Sequence, residues 1–327
     1  MSPQAVEWMR KGVPAEVRNG LVASRRGRYL ADRHKARVIR SRSRWLMITP
    51  GIAILLAFNV FPLIYGLWVS LRVDNLSQPN LAHFVGLANY RADLASPLFL
   101  SALGRTVEMT AGSVMLQFVV GFLIALVLSR RSRLGQRIFA SLLILPLAIS
   151  PLVNSILWNF MLNPEYGVIT YLIRELGLGN VNPLGSPLGA TLSVIVLFSW
   201  EWTPFVALFL YSAIIALDRD PFEAAAVDGA SQRQIVLKIM LPALRNLAVI
   251  LLILQLATAF QLFVEVDLLT NGGPGASTET LTYLVFQNGL NYFDMGTATS
   301  MAWIMVIIMS VLAVFFIRTF KFQVRQP

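Results

Sequence analysis

Six times between residues 46 and 317 the chain stays apolar long enough to cross a bilayer, at about 46–71, 107–129, 138–161, 190–217, 244–264 and 297–317. A helix needs about 20 such residues to span the hydrocarbon layer. Within that layer every backbone N–H and C=O must be satisfied by the protein itself, so runs of this length read as helices. Only 13% of the 327 residues are charged, against about 25% in an ordinary soluble domain. The expectation is an all-α, multi-pass membrane protein with six spans.

Basic residues then set an orientation. Residues 1–45 carry twelve of the 27 Lys and Arg, and short basic runs follow at Arg130, Arg131, Arg133 and Arg137 and again at Arg318, Lys321 and Arg325. With both termini inside the cell, cytoplasmic segments hold 23 of the 27 and external ones four, as the positive-inside bias requires. The chain divides into a basic cytoplasmic segment (1–45), a transmembrane domain (46–320) and a tail (321–327). The basic segment reads as an uncleaved anchor touching anionic lipid. It lacks the interleaved aromatics and presenting fold of a nucleic-acid arm, so no nucleic acid is expected.

Reactive chemistry is missing. There is no cysteine, and the two histidines, His34 and His83, stand in unrelated polar stretches without metal-ligand spacing, so neither a metal centre nor a thiol nucleophile is expected. None of the four lysines, Lys11, Lys35, Lys238 and Lys321, sits in a G-x-x-x-x-G-K setting, and no Ser, His and acid combine into a triad. The run Gly272-Gly273-Pro274-Gly275 reads as a turn. No catalytic residue and no cofactor are assigned to this chain.

One polar island interrupts the apolar pattern, DPFEAAAVDGASQRQIVLKIMLP at 220–242. Asp220, Pro221 and Glu223 form a helix-start pattern with a capping box. Three alanines propagate the helix, Gly229 permits a bend and Ser231 can cap a second helix. Pro242 marks the start of the next segment. The charge distribution puts this island in the cytoplasm, either as an amphipathic loop on lipid or as a docking helix for a soluble partner.

The stretch EAAAVDGASQRQIVLKIMLP resembles the EAA loop of bacterial ABC importer permeases, with Glu223, Ala224, Ala225, Asp228, Gly229, Ala230, Ile239, Leu241 and Pro242 in place. LILP at 143–146, FVGLANY at 84–90 and LTNGGP at 269–274 with Ser277-Thr278 are similar to the carbohydrate branch, in particular its first, maltose- and glycerol-phosphate-type permease subunit. The resemblance covers about residues 45–320. It implies the type I ABC importer permease fold in a bacterial cytoplasmic membrane. It also implies a second permease subunit, a dimer of ATPase subunits holding ATP and Mg, an external solute-binding protein and a sugar substrate. Glu223, with Ala224, Ala225, Asp228 and Gly229, would meet the ATPase. Asn246 departs from the pattern, since many relatives carry a second proline there.

Polar groups at membrane depth are costly, about 2.5–3.5 kcal/mol for a carboxylate at the centre of an inserted helix, and so mark solute paths. Glu201 lies in SWEWTPF of the fourth span. It faces the bundle interior, pairs with a neighbouring helix, or sits near the outer interface with Trp200 and Trp202. Gln255, Gln261 and Glu265 lie in the fifth span and its outer end, where Gln261 and Glu265 are expected to share a face with Gln255 approximately adjacent. The resemblance places Phe198, Glu201, Trp202, Phe205, Gln255, Ala259 and Leu262 at sugar-lining positions, with Gln261 beside them. Relatives carry a small residue at the position of Trp202 and asparagines at those of Ala259 and Leu262. The rival reading is a secondary transporter with discontinuous helices.

Overall fold

A computed structural model describes residues 49–319 apart from 178 and 180; the expected basic segment 1–45 and the tail 321–327 lie outside the described residues. The chain forms two units, one ending at Gly66 and one beginning at Leu67. The first contains most of helix α1, Thr49–Ser70, which carries a wider i→i+5 turn at Leu56–Val60. The second contains the remaining helices: α2 (Ala88–Ala95), α3 (Pro97–Ser129), α4 (Arg133–Ala148), α5 (Pro151–Met161), α6 (Val168–Glu175), α7 (Pro187–Ala216), α8 (Asp220–Val227), α9 (Gln232–Ala259), α10 (Leu281–Phe286) and α11 (Met295–Thr319). Among the described residues five single helices are long and apolar enough to cross a membrane, and α4 with α5 makes a sixth if that bent pair is one span.

Local signals explain where the long helices begin. Ser96 and Ser186 each accept a backbone N–H of the following turn, from Phe99 and Gly189, and a proline occupies the next position in both, where its missing N–H costs nothing. Helix α3 therefore starts ten residues before the apolar run read from sequence. Its 33 residues reach about 50 Å, well beyond a hydrocarbon core of about 30 Å. The protruding turns bring Arg105 to 3.9 Å from Glu279.

The third span is broken. Helices α4 and α5 meet at 94° across Ile149 and Ser150. Pro146 lies inside α4, and Ser150 caps α5 by accepting from the Val153 N–H at 3.3 Å. A serine cap followed by Pro151 starts a new helix instead of extending the old one.

Helices α3 and α7 form the centre of the second unit. Gly121 lets them close up, since a Cβ there would lie 3.1 Å from Val206 and 3.2 Å from the Ala207 nitrogen. Ser199 donates across the pair to the Ser113 carbonyl at 3.2 Å. Around this pair Val206, Leu210, Leu244 and Leu251 form one apolar cluster, and Leu197, Phe198, Ala259 and Leu262 belong to another.

The two carbohydrate-branch motifs outside the spans serve as clamps. In FVGLANY, Asn89 donates to the carbonyls of Ser70 and Arg72 at 3.0 and 2.8 Å, and the Tyr90 hydroxyl meets Ser70 Oγ at 2.7 Å. Strands β1 (Arg72–Val73) and β2 (His83–Phe84) pair beside it. Asp93 hydrogen-bonds Ser300 of α11; burial pushes its carboxyl above the usual range, and the Ser300 bond opposes that shift. In LTNGGP, Thr270 and Thr278 hydroxyls meet at 2.7 Å and Tyr283 donates to Asn271 Oδ1 at 2.7 Å. Asn271 and Gly272 are both left-handed, with φ of 50° and 76°. The turn reading of this run is the one the backbone takes.

Candidate functional site

The polar island folds into α8, a tight turn and the start of α9. Its first turn differs from the sequence expectation. Asp220 caps nothing: the residue before α8 is Arg219 and makes no side-chain cap, while the Asp220 N–H points to Asp218 Oδ1 at 3.4 Å. The capping box stands one helix later, where Ser231 accepts from the Gln234 N–H and Gln234 accepts from the Ser231 N–H at 2.7 Å. Asp220 fails as a cap because it already has helical geometry as the first residue of α8.

The end of α8 is a Schellman turn. The Ala230 N–H returns to the Ala225 carbonyl at 2.9 Å and the Gly229 N–H to the Ala226 carbonyl at 3.2 Å, with Gly229 at φ 80°. A Cβ at Gly229 would meet nothing within 4 Å, so a side chain there suffers only backbone strain, about 1–2 kcal/mol. Gly229→Val is expected to loosen this turn alone. Amide exchange at Gly229 and Ala230 should accelerate about tenfold, the equivalent of about 1.4 kcal/mol, while exchange in α7 stays unchanged.

Helix α8 is displayed. Glu223, Ala224, Asp228 and Gly229 are exposed, Ala225 is half-buried, and Val227 is 88% exposed, an unusual position for a valine. Helix α9 then runs unbroken from Gln232 through Pro242 and Asn246 to Ala259. An i→i+5 bond from the Leu241 N–H to the Val236 carbonyl widens the turn just before the proline. Pro242 is thus no boundary: the wide turn accommodates its missing donor, and the second half of the polar island and the fifth span share one rod. Arg130 of the basic loop reaches Gln232 at 3.3 Å.

At membrane depth the second group of candidates separates into three kinds. Phe198, Trp202, Phe205 and Phe209 form an aromatic ladder down α7, with neighbouring ring centroids 6.3, 6.1 and 4.6 Å apart. Phe198, Ala259 and Leu262 are packed core, each at most 3% exposed. Glu201 and Gln255 are 3% and 1% exposed, and among the described residues Glu201 Oε2 and Gln255 Nε2 make no close hydrogen bond, with Asn154 the nearest partner for the Glu201 carboxyl. Glu201 is thus buried among the helices, with Asn154 of a neighbouring helix beside it.

Gln261 does not join them. It is exposed, and its amide donates to the Ala257 carbonyl at 3.0 Å. The shared face expected for Gln261 and Glu265 is lost because α9 ends at Ala259 and the chain turns through Gln261 before a new helical turn starts. Glu265 is buried and near enough to Glu201 for the two carboxylates to interact.

Two further buried amides are absent from the sequence reading. Asn154 of α5 stands within reach of the Glu201 carboxylate, and Gln117 of α3 is likewise fully buried; among the described residues neither amide makes a close hydrogen bond. An amide inside an apolar run was the available signal. Buried polar groups are normally satisfied, so Glu201, Asn154, Gln117 and Gln255 each carry polar atoms left without a close hydrogen bond among the described residues. Among the described residues no group of three or more His, Cys, Asp or Glu could hold a metal ion.

Residues 117–326 match the family described as "Binding-protein-dependent transport system inner membrane component". The chain is 32% identical over 252 residues to the trehalose/maltose transport system permease protein MalF of Thermococcus litoralis, covering 77% of this chain and 83% of that protein. It is 30% identical over 290 residues to the sn-glycerol-3-phosphate transport system permease protein UgpA of Escherichia coli, covering 87% and 97%. A chain of a bacterial ABC transporter involved in alginate import overlays with a TM-score of 0.76 at 22% identity, covering 90% of this chain and 100% of that one. The helical arrangement is thus that of an ABC importer permease.

Proposed function

Because the chain belongs to the binding-protein-dependent transport system inner membrane components, we propose that it is one permease half of an ATP-driven importer for a sugar or sugar derivative. It pairs with a second permease subunit. A dimer of separate ATPase subunits binds ATP and Mg, and an external solute-binding protein delivers the solute. Both termini face the cytoplasm, as does the coupling loop 220–242, whereas the loop after α9 faces outward.

Work enters at α8. Glu223, Ala224, Ala225, Asp228 and Gly229 present a short capped helix to the ATPase. Closure of the ATPase dimer displaces α8, the Gly229 turn passes the displacement to α9, and α9 carries it to Gln255. Alternating access follows if α9 and α7 tilt together around the solute.

This reading rests on the buried polar atoms of Glu201, Asn154, Gln117 and Gln255 that lack a close hydrogen bond among the described residues, and on the Trp202 and Phe205 rings carried by the same helix as Glu201. Aromatic faces suit the C–H surfaces of a sugar, and amides and carboxylates suit its hydroxyls. The relatives named for trehalose/maltose and sn-glycerol-3-phosphate transport favour the same solute class. The test of solute class is uptake by the whole assembly with its own binding protein against a panel of saccharides, polyol phosphates and amino acids. Saturable accumulation of a saccharide or polyol phosphate is expected. Accumulation of amino acids alone would contradict the reading.

A further inference from the structure

A long apolar groove runs between α3, α4 and α7, away from the polar cluster. Its larger part holds about 540 Å3 and is lined by Val120, Leu142, Pro146 and Trp200, among others. A second part of about 290 Å3 continues along α3 past Val127. The two parts share Ile124, Phe139 and Leu143, so they form one channel. Trp200 lies two residues from Trp202, about 200° around the helix, which turns the groove away from the aromatic ladder.

One end of the channel is charged. Arg131 lines the second part and lies over the Phe139 ring, 5.8 Å from its centroid. Arg130, Arg133 and Arg137 stand exposed on the same loop and first turns of α4. No Asp or Glu occurs between Glu108 and Glu165, so no acidic side chain of α3, α4 or α5 in that stretch offsets these four arginines. Guanidinium groups at the end of an apolar span match a lipid phosphate, and the groove behind them matches its chains.

We propose that this groove is a binding site for an anionic phospholipid. One acyl chain lies along Leu143, Phe139 and Trp200, and the headgroup phosphate is held by Arg131 with Arg133. This site is separate from the solute path proposed above and does not depend on it.

The experiment uses the assembled transporter in nanodiscs of mixed phosphatidylglycerol and phosphatidylcholine, each in turn carrying a photoreactive acyl chain. Phosphatidylglycerol is expected to label α4 and α7 peptides around Leu143 and Trp200 at least tenfold more than phosphatidylcholine. The double variant Arg131→Gln/Arg133→Gln, which alters only exposed side chains, should erase the preference while apolar labelling persists. Leu143→Trp, which fills the groove, should lower labelling by both lipids. Equal wild-type labelling by the two lipids would overturn the proposal, as would an unchanged preference in the double variant. A cysteine at Phe139 that cross-links to the second permease subunit, or to α1 of this chain, would overturn it as well, because protein would then occupy the groove.

Discussion

Glu223→Lys is expected to cut solute uptake by at least tenfold while the chain still folds, inserts and pairs with its second permease subunit. The folded chain gives Glu223 little to do for itself. Its backbone N–H bonds to the Arg219 carbonyl, its side chain is exposed, and no capping box forms at this end of α8. Reversing its charge near a helix N-terminus costs about 1 kcal/mol or less at an exposed site. A purely local role would therefore show as a small change in stability and no change in transport. An ATPase contact behaves differently, because truncation or reversal of one central interface residue removes 2 kcal/mol or more of binding. The exposed Val227 extends the same surface, so Val227→Asp should weaken capture of the ATPase as well. Co-purification and uptake, measured on the same membranes, separate the two roles. Intact uptake in Glu223→Lys would remove this residue from the coupling surface.

Glu201→Ala and Gln255→Ala should each lower uptake by tenfold or more and leave the assembled complex at least as stable as before. The sign of the stability change is the informative part. Among the described residues Glu201 Oε2 and Gln255 Nε2 are buried without a close hydrogen bond, and an unsatisfied buried polar group costs about 1–3 kcal/mol. Deleting one should relieve that cost, less the packing lost with the side chain. If these groups were structural, with partners supplied by the second permease subunit, their removal would weaken assembly instead. Thermal unfolding of the purified complex and initial uptake rates, taken together, distinguish the cases. Asn154→Ala provides a further arm, since Asn154 adjoins Glu201 and comes from a different helix.

Much of this architecture was legible in the chain, and the exceptions have physical causes. Apolar length is a property of composition, so the spans could be read directly. The extra turns of α3 were missed because Gly104 and Arg105 dilute the apolar run, although Ser96-Pro97 is a sound start signal. Pro146 and Pro151 announced an irregular third span, but only packing sets a 94° bend. Pro242 misled because a proline is read as a stop, whereas an i→i+5 turn lets α9 pass through it. The polar island at 220–242 was visible as a motif; its Schellman turn was encoded by Gly229, and its capping box sat at Ser231 instead of Asp220.

The membrane-depth site was only partly legible. Ala259 and Leu262 align with lining positions yet are buried in the core here, where small and aliphatic side chains pack well. Asn154 and Gln117 belong to no motif, and only the fold shows that both are buried and that Asn154 lies beside Glu201. Identity at a position could be carried across by resemblance; satisfaction of a hydrogen bond could not.

The central claim is that this chain moves solute only when a partner hydrolyses ATP. The most direct measurement is solute accumulation in sealed vesicles holding the full assembly and its binding protein, with proton and sodium gradients collapsed by ionophores. ATP on the ATPase side is expected to sustain accumulation without any gradient, and its removal to stop it. Accumulation that follows an imposed ion gradient and ignores ATP would rule out an ATP-driven importer and favour a secondary transporter.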